Sequence, residues 1–260
     1  MENAFAQSNV ANFLIHVCRY AKFLGSFARS LFSPPFYFKE LVEQIYQLGY
    51  KSLSIVSLTA VFTGMVLSLQ TGTEMSRYGA KAYIGSVVAV SLVRELGPVL
   101  TALVIAGRVG AGIAAELGSM KVTDQVDALR AMATDPYKKL IVTRIIALMI
   151  VVPLLVAIAD FVGLIGGALI SVTSLNVGVE LYRSTALDAL LMEDLIMGII
   201  KPFVFACIIG SIACYLGLNT EGGTKGVGSH TTQSVVLSSI AIFLVDFLIT
   251  KIFFMVGGGA

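Results

Sequence analysis

The sequence has few of the residues that build metal sites, disulfide frameworks or nucleic-acid-binding surfaces. Its two histidines, His16 and His230, are too few and too far apart in sequence to indicate a metal site. Its three cysteines show neither C-x-x-C nor zinc-type spacing, so we interpret them as small apolar packing residues. A formal net charge of +2 is too small to argue for a nucleic-acid partner. These absences argue against a metalloprotein and against a nucleic-acid-binding protein.

Motifs for nucleotide binding and hydrolysis are also missing. The glycine-rich segment 217–233 contains Lys225 but lacks the G-x-x-x-x-G-K-[ST] pattern of a P-loop, and we expect a cytoplasmic turn there. Neither G-x-S-x-G nor H-E-x-x-H occurs, which weakens an intramembrane hydrolase interpretation. We therefore expect a non-catalytic chain without a cofactor of its own, which would depend on a separate partner for any ATP-driven work.

Charged residues are scarce and apolar runs are long. Hydrophobic residues make up 57% of the 260 and charged residues 13%, against about 25% charged in soluble domains. Five runs reach the roughly 20 apolar residues that a membrane-spanning helix needs. They cover residues 52–73, 83–115, 145–173, 195–218 and 235–256. This predicts an all-α integral membrane protein with five transmembrane helices, the second of which is long enough to tilt, kink at Pro98 or project from the bilayer.

Residues 1–50 are predicted to form an amphipathic interfacial region ahead of a transmembrane domain at 51–260. Apolar residues within 5–31 recur at spacings of four and three, which places them on one helical face. They are Phe13, Val17, Tyr20, Leu24, Phe27 and Leu31, with Arg19, Lys22 and Arg29 opposite. This pattern is typical of a helix lying on an anionic leaflet. Pro34 and Pro35 end the helix, and a shorter amphipathic piece with Phe38, Leu41, Ile45 and Leu48 leads into the first span.

Lysine and arginine are unevenly distributed between the loops. Five precede the first span, and five more lie in or at the edge of the loop between spans two and three. The loop after span one has only Arg77 and Lys81, and the loop after span three only Arg183. Because cytoplasmic loops carry the excess of basic residues, we predict a cytoplasmic N-terminus and a periplasmic C-terminus.

Arg94 and Glu95 interrupt the second apolar run. If that span enters the membrane near Tyr83, Arg94 lies roughly 17 Å along the helix axis, where a charge costs at least about 2.5 kcal/mol. Neighbouring residues point about 100° apart, so the two need not pair with each other. We expect them to act in a cavity and to be replaceable by apolar residues without loss of assembly. The alternatives are ion pairs with another span, or snorkelling toward the outer surface.

Two further carboxylates, Asp160 and Asp246, lie in later spans. Either could be protonated, form part of a proton path, or pair with Lys201 or Lys251, and pairing within the protein is the interpretation that we favour. Small residues at short spacing indicate close helix contacts in lipid. They are Ala106, Gly110 and Ala114, then Gly107, Ala111 and Ala115 in the second span, and Gly163, Gly166 and Gly167 in the third.

Residues 123–133 have the pattern of a short amphipathic helix between spans two and three. Val126, Leu129 and Met132 recur three apart. Asp124 and Asp127 lie toward its N-terminal end, which is the favourable sense for the helix dipole. Such a helix on the cytoplasmic side could be gripped by a motor subunit, or it could lie flat on the membrane surface.

Several long runs resemble a known family. They are RELGPVLTALVIAGRVGAGIAAELGSM, VTDQVDALRAMATDP, GGTKGVGSHTTQSVVLSSIAIFLVDFLIT and FTGMVLSLQ, which together span most of the chain after about residue 45. They closely resemble permeases of the MlaE type, the membrane subunits of ATP-driven lipid transporters associated with MCE-domain proteins.

The resemblance implies an assembly. Two copies would form the membrane core in the bacterial inner membrane, two ABC ATPase subunits carrying ATP and Mg would bind below, and an MCE-domain protein would sit on the periplasmic side. A STAS-type protein could attach to the ATPase. Phospholipid would move between the inner membrane and the MCE protein, supporting outer-membrane lipid asymmetry. The implied lipid cavity includes Arg94, Glu95, Leu69, Met75 and Tyr78, and the implied ATPase-coupling set is Glu116, Met120, Asp124, Gln125, Asp127, Leu129 and Met132.

Two other functions stay open from the residues alone. A proton-coupled secondary transporter or channel could use Arg94, Glu95, Asp160 and Asp246, although such folds usually show paired repeats, which this sequence lacks. A purely structural scaffold has little use for a charged pair inside a span. Co-purification of an ATPase with the chain would separate the three.

Overall fold

The computed structural model describes residues 18–31 and 37–256, and within them the chain forms helices and connecting turns without a β-strand. We label residues 18–31 as α1. The following helices are α2 (Phe38–Arg77), α3 (Lys81–Val122), α4 (Gln125–Ala131), α5 (Tyr137–Thr173), α6 (Val179–Ala189), α7 (Met192–Leu218) and α8 (Gly223–Val256). Helices α2, α3, α5, α7 and α8 are long and apolar enough to cross a membrane. The predicted all-α membrane protein with five spans is confirmed.

The last span begins earlier than its apolar run predicts. Helix α8 starts at Gly223, so the turn expected over 217–233 is confined to the few residues after Leu218. Gly222 and Gly223 have positive φ angles of 84° and 66°, which suit glycine and let the chain reverse sharply. The prediction of a long turn was wrong. The polar residues that precede the apolar run are part of the same helix, and a hydropathy pattern cannot detect this.

Helix α3 is interrupted by π turns rather than broken at its proline. Its 42 residues would extend about 63 Å as a straight α-helix. The π turns Leu92–Leu96 and Ala106–Gly110 lie on either side of Pro98. Such turns are frequent at functional sites; the first contains Arg94 and Glu95, and the second contains Arg108.

Helices α2 and α5 meet through their backbones. A Cβ atom added at Gly64 would lie 1.9 Å from the carbonyl oxygen of Gly163, and one added at Gly166 would lie 2.5 Å from that of Val61. Close by, the hydroxyls of Ser68 and Ser171 are 2.7 Å apart in a buried hydrogen bond. The close contact predicted at the glycines of the third span is confirmed, since no larger side chain fits between the two helices.

Helix α3 packs against α7 and α8 with one of its two small-residue stripes. Ala106 and Ala114 are fully buried, and a Cβ added at Gly110 would lie 3.2 Å from the Ile209 side chain of α7. By contrast, Gly107 is exposed and has open space around it. One stripe therefore closes the packing within the chain, whereas the other faces outward.

Helix α1 lies against the ends of α5 and α7. Tyr20 hydrogen-bonds to Ser211 over 2.7 Å, and the buried ring of Phe23 contacts the rings of Tyr137 and Tyr215. The chain is helical over 18–31, as predicted. The spacing pattern had put Leu24 on the apolar face, but Leu24 is exposed and its neighbour Phe23 is buried against the protein instead. Phe13, Val17 and the Pro34-Pro35 stop lie outside the described residues. That α1 rests on a membrane surface stays a prediction.

The shorter amphipathic piece at Phe38 is continuous with the first span. Leu41, Ile45 and Leu48 are partly buried, as their spacing predicts, whereas Phe38 is exposed. A π turn at Tyr46–Tyr50 separates this piece from the α-helix that begins at Lys51. The division of the chain into 1–50 and 51–260 thus falls inside one continuous helix, and it stays a prediction as a functional boundary.

Candidate functional site

A network of charged side chains joins α3, α7 and α8 inside the membrane-spanning part of the molecule. Arg94 of α3 forms an ion pair with Asp194 of α7, whose side chain is fully buried. The other carboxylate oxygen of Asp194 accepts a hydrogen bond of 3.0 Å from the backbone N–H of Leu191. Asp194 therefore both neutralises Arg94 and satisfies a backbone donor at the start of α7.

Lys201 is the centre of this network. Its fully buried ammonium lies 2.7 Å from Glu95 Oε2 and 2.8 Å from Asp246 Oδ1. It also donates a hydrogen bond of 2.9 Å to the backbone carbonyl of Arg94. Pro98, one turn after Arg94, has no N–H to offer that carbonyl, so the lysine replaces the missing donor. The ammonium thus makes two hydrogen bonds and lies in an ion pair with a second carboxylate, so its buried charge is compensated.

Glu95 connects all three helices. While Oε2 faces Lys201 of α7, Oε1 accepts a hydrogen bond of 3.1 Å from the hydroxyl of Thr250 on α8. The side chains of Arg94 and Glu95 nevertheless stay 30% and 39% exposed, in contrast to the buried Asp194 and Lys201. The network is therefore anchored by buried ions and presents one cation and one anion to whatever lies outside the chain.

The structure supports the ion-pair alternative for Arg94 and Glu95. They do not pair with each other, as their angular separation predicts, and each instead pairs with a buried residue of α7. The premise that no partner would be stranded is wrong, because Asp194 would lose Arg94 and Lys201 would lose one of its two carboxylates. The outcome of replacing both residues with apolar ones stays a prediction. A role in a lipid cavity stays a prediction, which their exposed fractions permit.

Asp160 and Asp246 differ in their partners. The pairing expected for Asp246 is confirmed with Lys201. The same expectation is wrong for Asp160, which has no ion pair among the described residues and whose buried Oδ1 has no hydrogen-bond partner there. Asp160 of α5 instead lies against Gly97 of α3, where an added Cβ would be 1.7 Å from Oδ1. Only glycine at residue 97 leaves room for this carboxyl group.

The predicted cavity residues of the first span lie apart from the network. Leu69 on α2 is 47% exposed, and Tyr78, directly after the end of α2, is 82% exposed. Met75 is partly buried against the small apolar cluster that includes Leu175. Arg94 and Glu95 contact α7 and α8 instead. The five residues predicted to line one cavity are therefore not brought together within one chain.

Helix α4 is shorter than its pattern predicts, running over Gln125–Ala131 rather than 123–133. Asp124 precedes it with a positive φ of 58°, a conformation that aspartate tolerates better than most residues. Val126 is buried against the main core and Leu129 is partly buried there, whereas Met132 lies beyond the helix and is exposed. One face of α4 is therefore fixed to the spans and the other is free.

The charges of α4 are also ordered. Lys121 Nζ and Arg130 Nη1 lie 2.9 Å and 2.8 Å from the two carboxylate oxygens of Asp127. The hydrogen bond from Lys121, more than any other factor, holds the pKa of Asp127 below its ordinary value. Asp127 thus ties α4 back to the end of α3.

Two other residues of the predicted coupling set have structural contacts. Glu116 lies 2.7 Å from Arg144, a buried arginine at the start of α5 that also donates to the Leu140 carbonyl over 2.8 Å. Met120 packs on the main core. Asp124 and Gln125 are exposed. That these residues contact an ATPase stays a prediction.

Sequence reasoning did not find Asp194. It lies 100 residues from Arg94, at the edge of an apolar run, where an acidic residue is ordinary. The available signal was indirect, since a lone arginine in a span needs a carboxylate partner from another helix. Lys201 was named only as a partner for aspartates, although its hydrogen bond to the Arg94 carbonyl is an equal part of its role.

Comparison with known proteins decides the family. The family described as permease MlaE matches residues 41–252, which include all five spans except the first residues of α2 and the last residues of α8. The chain belongs to the MlaE permease family. The resemblance found in the sequence runs is thereby confirmed.

Relatives of this MlaE-family permease span bacteria and plants. A probable ABC transporter permease protein of Rickettsia typhi is 44% identical over 256 residues, which cover 95% of this chain and 99% of that protein. One of Synechocystis is 42% identical over 83% of this chain and 82% of its own length. The chloroplastic protein trigalactosyldiacylglycerol 1 of Arabidopsis thaliana is 39% identical over 85% of this chain and 63% of its own length. This chain is thus a multi-pass membrane permease subunit of the ABC transporter type.

Proposed function

We propose that this permease moves phospholipid as one of two copies in the core of an ATP-driven transporter of the bacterial inner membrane. The observation that carries the proposal is the half-exposed ion network of α3, α7 and α8. Its outer members, Arg94 and Glu95, offer both signs of charge to a zwitterionic or anionic head group. Apolar helix faces around them suit acyl chains.

A second copy would complete the cavity. Large apolar side chains are exposed along one face of α2, namely Ile55, Leu58, Phe62, Val66 and Leu69. Helix α8 exposes a similar row, and the Gly107 face of α3 is open. Small residues at an open face favour close helix association in lipid. Pairing two chains would bring the exposed α2 residues of one copy toward the ion network of the other copy.

Photocrosslinking tests this substrate. A photoreactive residue at Tyr78, which is exposed and outside the ion network, should capture phospholipid in an ATP-dependent manner when the full transporter is assembled. The matched control is Phe161 of α5, which is also highly exposed and would contact only bulk lipid. Equal capture at both positions, with or without ATP, would contradict the cavity.

The ATPase would bind at α4. This short helix lies between two spans, keeps one face fixed to the core and exposes Asp124 and Gln125. Because the sequence lacks a P-loop, the nucleotide and its magnesium belong to the partner. A STAS-type protein would attach to that ATPase rather than to this chain.

Charge reversal tests the docking site. Asp124→Lys with Asp127→Lys should leave the permease inserted but reduce ATPase capture by at least about tenfold, since like charges across an interface cost several kcal/mol. The control is Glu180→Lys with Asp188→Lys on α6, the short helix between spans three and four. If the α4 variant captures as much ATPase as the α6 variant, the docking site lies elsewhere.

The uneven distribution of lysine and arginine supports an orientation with α4 in the cytoplasm and α6 in the periplasm. An MCE-domain protein would then meet the α6 side, and lipid exchange with it would support outer-membrane lipid asymmetry. A reporter fused at the C-terminus should be active only in the periplasm. The α6 charge reversal should weaken binding of the MCE protein while leaving ATPase capture unchanged, which makes the two variants reciprocal controls.

A proton-coupled transporter remains the second candidate because of Asp160. Its buried carboxyl oxygen has no partner among the described residues, and such groups in spans often carry protons. Transport by that mechanism would persist with an ATPase that cannot hydrolyse ATP and would stop with Asp160→Asn. The ABC mechanism predicts the opposite for the inactive ATPase.

A further inference from the structure

A basic pocket lies where α1 meets α4. It encloses about 330 Å³ between α1, α4, the start of α5 and the end of α7. Four cationic side chains line it, namely Arg19, Lys22, Lys121 and Arg130. Its inner wall is aromatic, formed by Phe23, Tyr137 and Tyr215. A positively charged pocket with an aromatic wall is suited to a phosphate group attached to an apolar body.

The charge of this pocket is only partly compensated. Asp127 pairs with both Lys121 and Arg130. Within 18–31 and 37–256, neither Arg19 nor Lys22 has an ion-pair partner. Both are exposed on the same turn of α1, facing the pocket. The pocket therefore carries excess positive charge on its α1 side.

An apolar groove adjoins the pocket. It encloses about 410 Å³ between α1, α7 and α8 and extends along α8 from Leu237 to Val245, about 12 Å of helix. Tyr215 lines both the groove and the pocket. The ring of Tyr20, in the groove, lies 6.3 Å from that of Phe23, in the pocket. The two cavities are thus neighbours separated by one aromatic cluster.

We propose that the pocket and groove together bind one anionic phospholipid from the leaflet on the α4 side of the molecule. Its phosphate contacts Arg19 and Lys22, and one acyl chain occupies the groove. A soluble anion would leave the groove empty, and an uncharged chain would leave the cations without a partner. The bound lipid would connect α1 to α4, so its occupancy would fix the position of the short helix. This site is separate from the network around Lys201 and does not depend on the transport substrate.

Native mass spectrometry of the purified full-length chain tests the head-group half of the site. Phosphatidylglycerol should bind more tightly than phosphatidylcholine. Arg19→Gln with Lys22→Gln should weaken phosphatidylglycerol binding about 25-fold, since each basic residue at an anionic lipid surface contributes roughly a factor of five. The matched control is Arg29→Gln with Lys39→Gln, which removes the same charge from the same end of the chain but outside the pocket. An equal loss in both variants would reduce the effect to general surface charge and overturn the proposal.

The groove half has its own variants. Ala241→Trp should fill the groove and weaken phosphatidylglycerol binding at least about tenfold, whereas Val236→Trp, on another face of α8, should leave it unchanged. Inorganic phosphate at millimolar concentration should not displace the lipid. If phosphate alone competes fully, or if Ala241→Trp has no effect, the pocket takes a free anion and the lipid proposal is wrong. Size-exclusion profiles of all variants report whether each one folds.

Discussion

Helices α2 and α5 meet at glycines, whereas α3, α7 and α8, which also pack through the stripe of Ala106, Gly110 and Ala114, are joined by ions around Lys201. At the first contact the backbones meet at Gly64, Gly163 and Gly166, with one buried Ser68–Ser171 hydrogen bond beside them. At the second, Lys201 joins two carboxylates and a backbone carbonyl. Lipid gives helices no hydrophobic reason to associate, so each contact needs close backbone approach or polar bonds.

The two contacts differ in what they allow. A backbone-to-backbone contact has one arrangement, because a shift of either helix opens a gap or creates a collision. An ion network can exchange partners, and two of its members, Arg94 and Glu95, are still reachable from outside. We therefore expect the α2–α5 contact to be rigid and the contact of α3, α7 and α8 to rearrange when a charged group binds. This is why a polar substrate group is expected at the second contact.

Removing Lys201 should break the ionic contact with the largest effect. Lys201→Met strands Glu95 and Asp246 as carboxylates without their cation, and loss of one member of a buried pair costs about 3–5 kcal/mol. The thermal midpoint of the purified protein in detergent should fall sharply, or the protein should not accumulate. Lys225→Met, at an exposed position in the first turn of α8, is the matched control and should be silent.

Neutralising Glu95 and Asp246 as well shows whether Lys201→Met destabilises the protein through lost charge pairing or through lost packing. Lys201→Met combined with Glu95→Gln and Asp246→Asn removes the three charges that meet at the lysine. Most of the lost stability should return, because an apolar or neutral replacement of a complete ion network is often tolerated. If the triple variant is as unstable as Lys201→Met alone, the lysine acts through its shape and its bond to the Arg94 carbonyl.

Adding one methyl group should break the glycine contact with a smaller effect. In Gly64→Ala the new Cβ would lie 1.9 Å from the Gly163 carbonyl oxygen, so α2 and α5 must separate. Overpacking of this kind costs about 1–3 kcal/mol, seen as a lower thermal midpoint in detergent. Gly107→Ala is the control, since it has open space and alanine favours helix by up to about 1 kcal/mol. Equal destabilisation by both would show that the contact is not specific.

The same comparison shows how far the sequence alone could reach. Small residues at Gly163 and Gly166 predicted a close contact, but the partner positions Val61 and Gly64 could not be predicted, because composition does not fix which turns of two helices meet. Arg94 could be predicted to need a carboxylate partner, because an unpaired charge inside a membrane span has a high free-energy cost. Asp194 gave no such signal, since an acidic residue at the end of a span costs little.

Short polar helices showed a related limit. Charge order correctly predicted a helix between spans two and three, although its bounds narrowed to Gln125–Ala131 because Asp124 adopts a left-handed conformation. The polar start of α8 was missed altogether, since glycine, serine and threonine score as turn formers. Its helix continues there because the adjoining apolar segment carries it, and His230 Nδ1 lies 3.1 Å from the Leu216 carbonyl across the turn.

The ion pairs of Asp127 are a third kind of contact, because they lie at the water-exposed helix α4 rather than within the spans. Protonation of Asp127 should have the smallest effect on stability of the changes considered. The folded-state pKa of Asp127 is depressed, chiefly by the hydrogen bond from Lys121, so its ion pairs add stability that is fully present at neutral pH. That contribution is lost as the pH falls through the depressed pKa, where Asp127 takes up a proton. Hydrogen exchange in α4, corrected for its intrinsic rate, should therefore rise below about pH 4, near the ordinary carboxylate range.

The outcome of that pH series separates α4 from the contacts in the spans. Asp127→Asn should exchange faster already at neutral pH and show no further step, whereas Asp124→Asn should follow the wild type because Asp124 has no ion pair among the described residues. The amides of α2 and α5 around Gly64 and Gly163 should show no step in any variant, since none of the ion pairs among the described residues lies there. A step of equal size in α4 and in α2 would mean that acid loosens the whole protein, and α4 would then not be an independently held element that a partner could move.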